Sequence, residues 1–205
     1  LPRFSRYHAI GWSQWKWAVA LILLGMLMAL LYAAFNGLSE KLAVLLEGRA
    51  ILAAVLAGAL LGLVGFFLPE TMFSGETGLH ALLGDWQSYT AGALLLIAVL
   101  KGLLSTFCIN LGWRGGNIFP IIYMGAAAGY AFALAVNAGG SALDGSFAVA
   151  LVLAAMYGFL SQKPVTVLAV LLLCFPVTYI LPIAVAAFVS AKLSQWLSGW
   201  RKKTA

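Results

Sequence analysis

The sequence predicts an all-α, polytopic integral membrane protein with broken and tilted helices. Of its 205 residues, 63% are hydrophobic and only 9% charged, where a water-soluble domain has about 25% charged. Mean hydropathy is +1.01. The apolar residues also gather into runs of about 20, the length a helix needs to cross a bilayer core of about 30 Å. A soluble chain of this size buries a large core but still needs a charged surface. This chain has too few charges for one.

The elements follow in order. Residues 17–35 form a first span. Asn36 and Gly37 are expected to interrupt it. Residues 38–49 continue a helical pattern with Glu40, Lys41, Glu47 and Arg49 on its polar positions, and are expected to reach or lie along the interface. A second span, 50–68, stops at Pro69. Residues 69–90 are the longest polar stretch and read as a connection, with a short helix in GLHALL. The span 91–111 carries Lys101 in its middle, and residues 118–136 are apolar again. The loop NAGGSALDGS then leads to an apolar run over 147–160.

Near the end the pattern shortens. VTVLAVLLLCF, opened by Lys163-Pro164, is stopped at Pro176. Another run starts near Tyr179, has Pro182 in its first turn and continues to about Leu197. Runs this short fit half-helices or tilted helices. At membrane depth these are tolerated only where protein or a wet cavity satisfies the freed backbone. The whole chain, 1–205, reads as one membrane domain with a basic tail over 198–205.

The net charge of +6 does not indicate nucleic acid. Arg3, Arg6, Lys16, Lys41, Arg49, Lys163, Lys192 and the tail Arg201, Lys202 and Lys203 stand singly or at segment ends, where they suit anchoring and orientation in lipid. No basic stripe interleaved with aromatics offers stacking for bases. Trp12, Trp15, Trp17, Trp86, Trp196 and Trp200 read as interfacial belts. Cys108 and Cys174 lie in apolar runs and read as small buried hydrophobes. No CxxC or HExxH spacing occurs, and no metal or cofactor is expected. The chain begins at Leu1 rather than Met, and its first run is too long for a signal peptide; a fragment of a longer protein is expected. In MGAAAGY, Gly125 and Gly129 stand four apart, as in close helix crossings, and GALLG over 58–62 has the same spacing.

One motif breaks the oily pattern: GWRGGNIFP, residues 112–120. Gly112, Gly115 and Gly116 permit backbone shapes and close approaches closed to other residues. Pro120 suits the first turn of a helix, where its missing N–H is not needed. A helix start here leaves amides without intrahelical acceptors and adds partial positive charge from the dipole. Within a membrane such amides need an acceptor, and an anion is a natural one. Asn117 adds a side-chain amide, and Ile118 and Phe119 an apolar wall. A fixed arginine on the ion would trap it, so Arg114 is placed toward an aqueous vestibule or a carboxylate. The same residues also suit an ordinary interhelical turn.

The stretch KGLLSTFCINLGWRGGNIFPIIYMGAAAG, residues 101–129, resembles the second-half signature of the ClC chloride channels and proton/chloride antiporters. There a span with a basic residue leads into a Gly-Gly-containing GxFxP motif that opens a helix. LPETMFSGETG before it resembles that family's connection, and QKPVTVLAVLLL with YILPIAVAAF resembles its later helix pair. The resemblance runs from about Trp17 to Leu197. It implies a ClC-like half of an anion channel or anion/proton antiporter, moving a small inorganic anion, chloride first, within membrane lipid. By the resemblance, the anion-site residues are Gly115, Gly116, Asn117, Ile118, Phe119 and Pro120. A gapless match puts Asn117 and Ile118 where the family's anion-facing amides lie, with Phe119 one place later than the family's phenylalanine. The ion-contacting tyrosine of the family's last helix has no counterpart in LSGWRKKTA. ClC subunits pair two inverted halves around the ion, and the GSGIP and GREGP-type motifs of the first half do not occur here. The resemblance therefore implies a missing N-terminal half as partner, and a homodimer interface formed with the first span and the final helix pair.

Other polar residues read as structural. Lys101, costly within a span, either draws anions toward a pore, pairs with a carboxylate or snorkels; the structural role is favoured. Glu76 and His80, four apart, suit a proton relay or, more simply, a polar interfacial helix. Glu70 reads as interfacial and Asp144 as a turn residue; His8 is uninformative. A membrane enzyme is disfavoured because no nucleophile–base pair lies at membrane depth. A non-transporting scaffold or degenerate subunit is the remaining alternative to anion transport.

Overall fold

The computed structural model describes Phe4, residues 11–72 and residues 76–204, with the side chains of 76, 77 and 199–204 outside the description. Arg3, Arg6, His8, Trp200, the basic tail side chains and the Glu76 side chain therefore lie outside the described residues. The described chain is all-α: α1 (Trp12–Trp15), α2 (Ala18–Leu45), α3 (Ala50–Phe67), α4 (Glu76–Asp85), α5 (Ala91–Asn110), α6 (Ile118–Ala138), α7 (Gly145–Ser161), α8 (Pro164–Leu172) and α9 (Ile180–Thr204), with short 3₁₀ turns at 69–71, 86–88 and 177–179. Helices α2, α3, α5 and α6, and the stretch Val177–Ser198, are long and apolar enough to cross a membrane.

Two expectations are corrected. Asn36 and Gly37 do not break the first span; α2 runs unbroken for 28 residues. The side chain of Asn36 is used instead: Asn110 at the end of α5 donates to its Oδ1 at 3.0 Å and to the Ser39 hydroxyl at 2.7 Å, while Asn36 donates to Glu40 at 2.6 Å. A polar patch in a long helix thus meets another helix's polar end rather than water. The run near Tyr179 is likewise a full-length span, not a half-helix. Of the two late runs, only α8, with 9 residues, is too short to cross. Pro164 opens it, and Pro176 lies just beyond its end.

The core sits on α7, whose residues from Phe147 to Met156 are all buried. Around it pack α2, α6, α8 and α9, and α5 packs on α2 and α6. Small residues permit the closest of these crossings. A Cβ on Gly129 would lie 2.7 Å from the Val149 Cα, and one on Gly125 would overlap Leu153, so α6 and α7 approach backbone to backbone. At the outer edge α3 buries only Ala53, Ala57, Leu61 and Gly65, one narrow stripe toward α5. Among the described residues GALLG does not join two helices closely: a Cβ on Gly58 would meet only Trp113, at 3.6 Å, and Gly62 has open space around it.

One end of the bundle is closed by side chains. Gln14 donates to the Ala142 carbonyl and accepts from the Asp144 amide, both at 2.9 Å. Asp144 caps α7 by accepting from the Phe147 amide at 2.8 Å, and also accepts from the Tyr179 hydroxyl. Three of the tryptophans expected in interfacial belts are half-buried and pack on other rings. Trp86 stacks on Tyr130 with centroids 4.7 Å apart, and Trp15 and Trp17 meet Phe147 and Phe132 edge-on.

Candidate anion site at the start of α6

The site begins where α5 ends. The Asn110 contacts hold that end against α2, and the chain then reverses: the Gly112 amide donates to the Ile109 carbonyl and the Trp113 amide to the Cys108 carbonyl. Gly112 has φ +99°, a conformation that a side chain would strain. Residues 113–116 form no regular structure. Asn117 precedes the helix, and the Ile121 amide donates to its carbonyl at 3.1 Å to close the first turn. The predicted helix start at 118–120 is where α6 begins.

This geometry leaves donors unused. Among the described residues, none accepts a hydrogen bond from the backbone amides of residues 114–119. They lie at the N-terminal, electropositive end of a 21-residue helix. The Asn117 side chain makes no capping bond. Gly115, Gly116, Asn117 and Ile118 are exposed, Phe119 is half-buried and Pro120 is buried. Gly115, Gly116 and Pro120 are brought together around one cavity between α3 and α5, while Asn117, Ile118 and Phe119 stand outside its lining.

The expected role of the two motif glycines needs refining. Neither has a positive φ. A Cβ on Gly116 would meet nothing within 4 Å, and one on Gly115 only Ile109 at 3.8 Å. Among the described residues, no packing contact requires glycine there; the space lies in front of the backbone. Arg114 is exposed, lines the cavity and forms no ion pair with a described carboxylate.

Lys101, although on the same helix as the site's approach, is engaged elsewhere. It is wholly buried, and its ammonium donates to the Thr71 carbonyl at 2.9 Å and lies 5.6 Å from the Tyr123 ring centroid. It therefore ties α5 to the turn after α3, the structural role. His80 is exposed. The sequence signals missed Asn110 and Ser105, polar residues in an apolar run whose importance depends on what they face.

With the geometry in place, comparison with known proteins decides the family. The family model described as "Voltage gated chloride channel" matches residues 3–195. The chain belongs to the voltage-gated chloride channel family. Among curated relatives, the H(+)/Cl(-) exchange transporter ClcA of three Vibrio cholerae serotype O1 strains is 27% identical over 155 residues, which is 74% of this chain and 32% of the relative. The chain thus spans about a third of the length of these relatives. As a voltage-gated chloride channel family member with five stretches able to cross a membrane, it is a multi-pass membrane protein. The GGNIFP segment lies inside the matched range of that family.

Proposed function

We propose that the protein moves small inorganic anions, chloride foremost, across a membrane as the second half of a chloride channel or proton/chloride exchanger. The observation that carries this reading is the row of unpaired amides at the start of α6, within the segment that resembles the family's ion-binding motif. Gly115, Gly116, Asn117, Ile118, Phe119 and Pro120 form this half of the site, with backbone N–H groups as ligands and the helix dipole adding field. A backbone ligand tolerates Asn117 and Ile118 where the family carries other side chains. The exposed face of the motif suits a facing first half, which would exclude water and complete the coordination.

The same reading makes residues 1–205 one membrane domain of a homodimer. Its interface would use the exposed apolar residues of α9, such as Leu181, Val185 and Phe188, with Val165 of α8 and the first span.

Chloride efflux from liposomes carrying the full-length protein tests the proposal. Gly116→Leu places a side chain in open space, so the fold is expected to survive while the amides are screened. Loss of one or two charge-assisted hydrogen bonds corresponds to a flux lower by roughly tenfold or more. No chloride flux from the native protein would leave the scaffold reading. Flux indifferent to Gly116→Leu and to rebuilding residues 116–120 would place the ion elsewhere.

A further inference from the structure

The cavity beside the motif holds about 210 Å³ between α3, α5 and the 113–116 segment, ample for a halide and several waters. Its walls are mostly apolar, with Leu61 from α3 on one side. Its polar side chains are few: Ser105 and Cys108, one helical turn apart on α5, and Arg114.

Ser105 is the informative one. The residue is only 7% exposed, it lines the cavity, and among the described residues its hydroxyl makes no hydrogen bond. Its neighbour Thr106 behaves as a membrane-helix hydroxyl usually does, turning back to donate to the Gly102 and Leu103 carbonyls at 3.0 and 2.9 Å. Ser105 instead lines the cavity. Its oxygen therefore opens onto the cavity rather than onto a neighbouring helix, so the occupant of the cavity is its natural partner. The remaining polar lining sets that partner's charge. The guanidinium of Arg114 and the amides of Gly115 and Gly116 are all donors, and no carboxylate lines the space. The arrangement suits an acceptor that donates nothing, which is an anion.

We propose that this cavity is a second anion subsite, where a small monovalent anion is held by the Ser105 hydroxyl and the Arg114 guanidinium before it reaches the amides of α6. The subsite rests on the reading of the α6 start as an anion site and adds side-chain ligands to it. Arg114, at the open side, raises the local anion concentration without gripping the ion at the backbone site. Ser105, deeper in, replaces part of the ion's hydration shell.

Cys108 supplies a native reporter inside the cavity, whereas Cys174 is buried at 2% exposure. The full-length protein in phosphatidylcholine vesicles is treated with an anionic methanethiosulfonate reagent and with a neutral one of similar size. Modification of Cys108 is read by peptide mass spectrometry, with Cys108→Ser as control. Chloride in place of gluconate is expected to slow modification at least about threefold, and Ser105→Ala to weaken that protection. Arg114→Gln is expected to slow the anionic reagent about threefold and leave the neutral one unchanged, the scale of one unit charge acting through water. A Cys108 that neither reagent reaches, or that chloride does not protect, overturns the subsite. Protection by added phosphatidylglycerol in gluconate would make the occupant a lipid headgroup and overturn the halide assignment. Flux that persists without chloride protection sinks the subsite alone. Protection that persists without flux sinks the transport reading alone.

Discussion

Lys101, Asn110 and Tyr89 show how single polar groups are managed in this chain. Lys101 is buried against backbone carbonyls, so Lys101→Met should leave them unpaired. A cost of about 1–3 kcal/mol should appear as a lower thermal midpoint in detergent, with halide selectivity per folded molecule unchanged. Altered selectivity would instead return the lysine to the ion path. Asn110→Ala should cost less, about 0.5–1.5 kcal/mol, since α2 and α5 also share apolar contact. Tyr89 sits outside the spans, and burial, the Glu70 and Asp85 charges and a hydrogen bond to Glu70 raise its pKa above the usual 10. The raised folded value means that its contribution is fully present below pH 10 and is lost as pH climbs past its folded pKa. Thermal midpoints of the native protein and Tyr89→Phe, measured from pH 8 to 11, should differ in the native protein's steeper decline above pH 10. Parallel curves would remove Tyr89 from the account.

Among helices, the α6–α7 crossing and the α5–α6 reversal are the decisive elements. The first depends on Gly125 and Gly129 against Leu153 and Val149. Gly129→Val should force the helices apart at a typical overpacking cost of about 1–3 kcal/mol. Gly62→Val, on the open face of α3, should be tolerated. Equal detergent-resistant yields of the two variants would contradict the packing described here. MGAAAGY made this crossing legible because a repeat of small residues has one main use in lipid. GALLG has the same spacing without that use, since spacing alone does not say whether a partner helix is present. The reversal was legible too: glycines followed by Pro120 announce a helix start. Which of its three glycines adopts the left-handed backbone was not; of Gly112, Gly115 and Gly116, Gly112 alone does.

For the molecule as a whole, charge and helix direction combine into an orientation. The Gln14 contacts place the start of α2 and the α6–α7 loop at one end. The Asn110 and Gln162–Ser194 contacts place the end of α5 and the α7–α8 junction toward the other. The first end carries Glu70, Asp85 and Asp144 with Lys16. The second carries Lys41, Arg49, Arg114, Lys163 and Lys192, offset by Glu40 and Glu47, and the sequence adds Arg201, Lys202 and Lys203 beyond it. By the positive-inside rule, the α2–α3 turn and the C-terminal part of α9 are expected on the cytoplasmic side. Membrane-impermeant labelling of a cysteine introduced at Glu47 should require opened cells, while one at Ala142 should label intact cells. The reverse pattern would invert the orientation.

The sequence by itself determined the solvent, most span boundaries and the motif that opens α6. These depend on composition, run length, glycine and proline, which act locally. Only the tertiary structure decided that Asn36 bridges helices instead of ending one, that Lys101 is spent on backbone carbonyls, and that Ser105 faces a cavity while Thr106 does not. Each of those outcomes depends on which neighbour a helix face meets. A polar residue in an apolar run announces that it needs a partner, and the fold alone names it.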